Sequence, residues 1–131
     1  MAAYVVLHHL GQPVRHHPHA LVNMHLKGAF FLIQRLLPLM NDGGRILNLS
    51  SGLARFALPG YAAYAAMKGA VEVLSRYLAQ ELRPRGIAVN VVASGAIETD
   101  FGGGPLVAVL LQPATRWVNA QRIENSGGMF L

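Results

Sequence analysis

Two short runs suited to extended backbone, Arg45-Ile46-Leu47-Asn48-Leu49-Ser50-Ser51 and Ile87-Ala88-Val89-Asn90-Val91-Val92-Ala93, stand on either side of a long alanine-rich stretch, Tyr61 to Leu82. That arrangement constrains the fold more than any other feature of the chain. A strand, a helix and a second strand in succession pack as a right-handed crossover between parallel neighbours. The second run is apolar at almost every position, the pattern of a strand covered on both faces. Arg83-Pro84-Arg85-Gly86 closes the helix with cations, a proline and a glycine.

The same alternation extends outward. From Ala20 to Met40 apolar residues occupy nearly every helical face, which predicts a helix buried on two sides, with Pro38 disturbing its last turn. Asn41-Asp42-Gly43-Gly44 is a turn before the first run. Ser94 to Phe101 and Gly102-Gly103-Gly104 read as a loop, Leu106 to Leu111 as a short helix ending before Pro113, and Gln121-Arg122-Ile123-Glu124 as a last strand before Gly127 and Gly128. The expected fold is α/β over residues 21–131, a parallel sheet flanked by helices, with no internal repeat. Residues 1–20 stay unassigned, because they hold five of the six histidines and two of the seven prolines and show neither periodicity.

Composition narrows the function. The chain has 131 residues, 53% hydrophobic and 13% charged, which is the opposite of a disordered segment. So apolar a chain predicts surface that meets a partner. Zero cysteines exclude disulfide frameworks, thiol catalysis and cysteine zinc sites and fit a reducing, cytoplasmic setting. Met1 to Leu10 lacks the basic start of a secretory leader, and no apolar stretch nears the ~18 residues of a membrane helix. The net charge of +5 comes from cations spread between Arg15 and Arg122, not clustered as a nucleic-acid footprint would be. His16, His17 and His19 straddle Pro18 without a scaffold to fix ligand geometry, so no metal site is assigned.

Chemistry concentrates on Tyr64 and Lys68. Four residues apart on a helix, they share one face about a turn apart. An ammonium beside a phenol favours the phenolate, so the pair predicts a tyrosine titrating below its usual ~10 and nearer to acid/base service. Ser51 ends the strand that leads toward them, and ligands of open α/β sheets bind at the carboxyl ends of strands. Ser51 and Tyr64 could then share a carbonyl oxygen.

Asn23, Ser50-Ser51-Gly52, Tyr64-Ala65-Ala66-Met67-Lys68 and Asn90-Val91-Val92-Ala93-Ser94-Gly95-Ala96-Ile97-Glu98-Thr99, in this order and separation, resemble the short-chain dehydrogenase/reductase family. Trp117 to Ile123 followed by Ser126-Gly127-Gly128 is similar to that family's ending, so the likeness covers about residues 20–131. It implies a Rossmann-like, partial doubly wound sheet and NAD- or NADP-dependent reduction of a carbonyl or oxidation of an alcohol. By the resemblance, Tyr64 is the general acid or base and Lys68 lowers its pKa and holds the nicotinamide ribose. Ser51 binds the substrate oxygen, Asn23 anchors a proton path, and Gly95, Ile97 and Thr99 lie against the nicotinamide. The helices over 20–40 and 61–82 resemble those that pair subunits in the family, which implies a homo-oligomer with a small-molecule substrate.

The sequence also departs from the pattern. It has no G-x-G-x-x-G loop between a strand and a helix, so the first, dinucleotide-binding strands and the pyrophosphate loop of the family are expected to be absent. Ser94 stands where the family has proline, and Gly104 runs into Pro105-Leu106-Val107 where a longer substrate lid would stand. Two functions therefore compete: a Ser-Tyr-Lys oxidoreductase whose catalytic residues outlast its cofactor grip, and an inactive remnant serving as an oligomerisation or interaction module. Cofactor binding discriminates them.

Overall fold

The computed structural model describes residues 4–7, 18–95 and 104–128; Ile97, Thr99, His8, His9, His16 and His17 lie outside them. Among the described residues four parallel strands form one sheet in sequence order: β1 Tyr4–Leu7, β2 Arg45–Ser51, β3 Ala88–Ser94 and β4 Arg122–Asn125. β2 and β3 fall within a residue or so of the runs that predicted them, and both are buried along nearly their whole length. β1 is a correction. It sits inside the segment left unassigned, and its register, Tyr4 with Arg45 through Leu7 with Asn48, makes Tyr-Val-Val-Leu the edge partner of β2.

The helices are α1 Pro18–Leu21, α2 Gly28–Leu36, α3 Ala62–Glu81 and α4 Gly104–Leu110. α1 and α2 are one rod joined by a π-helical turn, Val22–Lys27, in which the Gly28 N–H donates to the Asn23 carbonyl five residues back. Pro38 ends the rod in a 3-10 turn, Leu37–Leu39, as its missing N–H requires. The rod was expected to be buried on two sides. It buries one, through Leu21, His25, Ala29 and Ile33 at four-residue spacing, whereas Phe30, Phe31 and Leu32 are exposed because no described element covers that side.

Side chains alternate across the strands, so each face of the sheet has its own core. Ile46 and Val89 pack with Ile33, Ala79, Leu82 and Ile87. Leu47 and Val92 point the other way, toward Leu110 of α4 with Leu106, Val107 and Ile123 around it. Helices on both faces of a parallel sheet make this a partial Rossmann-like α/β fold. Side-chain amides stitch the amino end of β3 to the loop before β4. Asn90 donates to Val118 O at 2.8 Å and accepts from Gln121 N at 3.0 Å, and Asn119 Oδ1 accepts from Val89 N at 2.8 Å. Gly95 shows why the carboxyl end stays tight: a Cβ there would lie 2.9 Å from Ser126 Cβ, while its N–H donates to Asn125 O at 3.2 Å. No described helix is long and apolar enough to cross a membrane.

Candidate active site

Parallel pairing brings Ser51, Ser94 and Asn125 to one edge of the sheet, where the register aligns Ser51 with Ser94 and Ser94 with Asn125. α3 crosses this end with Lys68, Val71, Ser75 and Ala79 as its buried stripe, and Tyr64 lies one turn before Lys68 on the same face. Ser51 closes β2 and caps the 3-10 turn Gly52–Ala54, its Oγ accepting from Leu53 N at 3.2 Å. The hydroxyl that the cap orients faces the Tyr64 phenol and favours its ionised form. Lys68 Nζ donates to Leu49 O at 3.0 Å and stands 5.7 Å from the centre of the Tyr64 ring. Three of the four residues expected to do catalysis are thus within one cluster.

The electrostatics correct one expectation. Burial raises the Tyr64 pKa above its ordinary 10, and the Ser51 hydrogen bond, which stabilises the phenolate, only partly offsets this. The predicted downward pull from Lys68 is not what governs it. The ammonium is itself buried, which lowers its own pKa, and it is turned toward the Leu49 carbonyl. Tyr64 is therefore a phenol throughout the neutral range, ready to give a proton rather than to take one. Of the three protons of an ammonium, Lys68 uses one on Leu49 O among the described residues.

Asn23 does not join the cluster. Its side chain is exposed on the π-helical turn, and among the described residues it makes no side-chain hydrogen bond to Ser51, Tyr64 or Lys68. His25, two residues on, is buried and packs edge-on against the Tyr64 ring at 5.2 Å between centroids. Sequence reasoning passed over it, although the four-residue spacing Leu21, His25, Ala29, Ile33 marks His25 as inward and Asn23 as outward. Gly95 is at the expected edge of the site, and Ile97 and Thr99 are beyond the described residues. Between the Gly52–Ala54 turn and the first turn of α3 a cavity of about 280 Å³ opens among Leu53, Arg55, Phe56, Leu58, Tyr61 and Ala65, with none of Ser51, Tyr64 and Lys68 in its wall.

Comparison with known proteins bears on the family and the fold. A family model described as enoyl-(acyl carrier protein) reductase matches residues 15–106. A short-chain type dehydrogenase/reductase of Picea abies is 38% identical over 78% of this chain and 48% of its own length. Among solved structures, the promiscuous reductase LugOII, described as catalysing a keto-reduction in lugdunomycin biosynthesis, superposes with a TM-score of 0.86 at 34% identity, over 96% of this chain and 59% of that one. The angucycline C-6 ketoreductase LanV, solved with bound NADP, gives 0.81 at 30% identity over 95% and 61%. The chain spans about half the length of the curated relatives it matches. The family match over most of the chain, the relatives and the shared fold together show that this protein belongs to the short-chain dehydrogenase/reductase family.

Proposed function

We propose that this site interconverts carbonyl and alcohol groups with a nicotinamide cofactor, Ser51, Tyr64 and Lys68 acting on the substrate oxygen. The observation that carries the reading is the Ser51 hydroxyl facing a Tyr64 phenol that has a buried ammonium one turn away, 5.7 Å from its ring centre. A carbonyl oxygen entering between the two hydroxyls would receive a hydrogen bond from each, and Tyr64 would transfer its proton as negative charge grows on that oxygen. A phenol kept protonated by burial suits reduction at neutral pH; oxidation needs the phenolate and so more alkaline solution.

NAD or NADP would supply the hydride. Among the described residues Lys68 keeps donors that, with Tyr64, fit the ribose end of such a nucleotide, and the similar ketoreductase LanV was solved with bound NADP. The given residues hold no G-x-G-x-x-G loop for the diphosphate end. Asn23 was expected to anchor a proton path; its exposure favours His25 for any contact with Tyr64. The cavity's apolar wall, with Arg55 at hand, favours a substrate with an apolar body. The absence of cysteine supports a cytoplasmic setting.

A second role is favoured by the exposed Phe30, Phe31 and Leu32 on α2 and Val73 and Tyr77 on α3: pairing with another copy of the chain through these helices. Titration of the folded chain with NADH and NADPH, followed by nicotinamide fluorescence, separates the readings. Saturable binding weakened in Lys68→Met, with ketone reduction lost in Tyr64→Phe, is the result expected of the oxidoreductase. No binding by a chain with native near-UV circular dichroism overturns it and leaves the interaction module.

A further inference from the structure

Beside the cluster, the guanidinium of Arg122 on β4 joins three elements. Its Nε donates to Glu72 Oε1 on α3 at 2.8 Å, its Nη1 pairs with Glu124 Oε2 on its own strand, and its Nη2 donates to the Ser51 main-chain carbonyl at 3.4 Å. Glu72 Oε1 also accepts from Ser50 Oγ at 2.5 Å, and that hydroxyl lies 3.4 Å from Lys68 O. The other oxygen of Glu124 is directed at Gly52, 3.5 Å from where a Cβ would stand. The side chains of Arg122, Glu72 and Glu124 are only 19, 12 and 21% exposed.

Three charges drawn this far from water are a poor source of stability, since desolvation offsets much of their attraction. Their geometry has another use. Ser51 is the last residue of β2, paired with the last residue of β3, so no further ladder bond restrains the chain as it turns away at Gly52. A planar fork that reaches two carboxylates and a carbonyl at once can supply the missing restraint, which a lysine cannot. We infer that Arg122 and Glu72 are positioning residues that clamp Ser50 and Ser51 against α3 and so hold the Ser51 hydroxyl in reach of Tyr64. The inference rests on the reading of Ser51 and Tyr64 as the carbonyl-binding pair.

The test needs no turnover. The ionisation of Tyr64 is followed by NMR of the chain carrying 13Cζ-tyrosine, its signal assigned with Tyr64→Phe, while His25 and Lys68, which also face the phenol, are left unchanged. Ser51→Ala removes the hydrogen bond to the phenolate and is expected to raise the midpoint by about 0.5–1 pH unit. Glu72→Met is expected to raise it by a similar amount, although loss of a nearby negative charge by itself would lower it. Combined with Ser51→Ala it adds nothing. Glu72→Gln, which keeps an acceptor, gives a smaller rise and serves if the methionine variant does not fold.

A midpoint that falls or stays put in the folded Glu72 variants while Ser51→Ala raises it overturns the clamp and leaves the proposed function standing. A full further rise on combining the two substitutions overturns it as well. If Ser51→Ala does not move the midpoint, the Ser51–Tyr64 pair itself fails, and the clamp falls with it.

Discussion

Ser75→Ala tests the joint that seats α3 on the sheet. Asn48 is fully buried on β2, and its Nδ2 donates to Ser75 Oγ at 2.8 Å, while that hydroxyl donates to Val71 O at 2.7 Å. Among the described residues the other half of the amide, Oδ1, has no hydrogen-bond partner. Deleting the hydroxyl therefore leaves a buried amide with neither end satisfied, a cost of about 1–3 kcal/mol. Val71 O loses little, because the helix already uses it. Against a total stability on the order of 5–15 kcal/mol, a loss of about 2 kcal/mol is large and should lower Tm by roughly 6–10 °C. Urea unfolding followed by circular dichroism should show the midpoint falling at constant slope. Adding Asn48→Leu removes the stranded amide, so the double variant should recover most of the loss or exceed the parent, a coupling of about 1–3 kcal/mol. A Ser75→Ala variant within about 0.5 kcal/mol of the parent, or a double variant no better than Ser75→Ala, would refute the reasoning. The joint matters to the site by geometry. Asn48 is three residues before Ser51, about 10 Å along the strand, and Ser75 is seven after Lys68, about 10 Å along the helix.

Two further outcomes are expected. Lys68→Met should gain stability relative to the parent near neutral pH, because the parent's lowered ammonium pKa makes its stability complete only above the ordinary 10.5 and diminished as pH falls through the depressed value. Thermal melts from pH 7 to 11 should show the gap closing as pH rises; the opposite effect of Tyr64, whose stabilising contribution is lost above pH 10, is common to both proteins. A gap that widens would falsify the assignment. Ala120 has φ of 58°, a left-handed conformation that costs an alanine roughly 1–2 kcal/mol, so Ala120→Gly should stabilise by about 1 kcal/mol after the entropy of the unfolded glycine is subtracted. An unchanged or lower urea midpoint would show that the loop is not strained.

What could be read from the chain alone was whatever short-range pattern encodes. β2, β3 and α3 follow from apolar runs and alanine content, and Tyr64 and Lys68 share a face because 3.6 residues make a turn. Ser51 followed as the end of a run with turn residues after it. β1 was illegible because four residues among histidines and prolines carry almost no periodicity, and only pairing with Arg45 through Asn48 makes them a strand. His25 carries no motif, and only its place on the stripe Leu21, His25, Ala29, Ile33 marks it as inward.

Residue identity and spacing thus determined β2, β3 and α3, their order and which side chains α3 presents on one face. Tertiary structure decided how those groups behave. Spacing puts an ammonium near a phenol and predicts a lowered tyrosine pKa, whereas packing buries both and turns the lysine toward Leu49, so desolvation prevails and the tyrosine stays protonated. Arg122 and Glu72 are fifty residues apart in the chain and meet only because the start of β4 and the middle of α3 come together beside β2. Distances between distant segments and the dielectric around a group are set by the whole assembled core, and no local pattern encodes them.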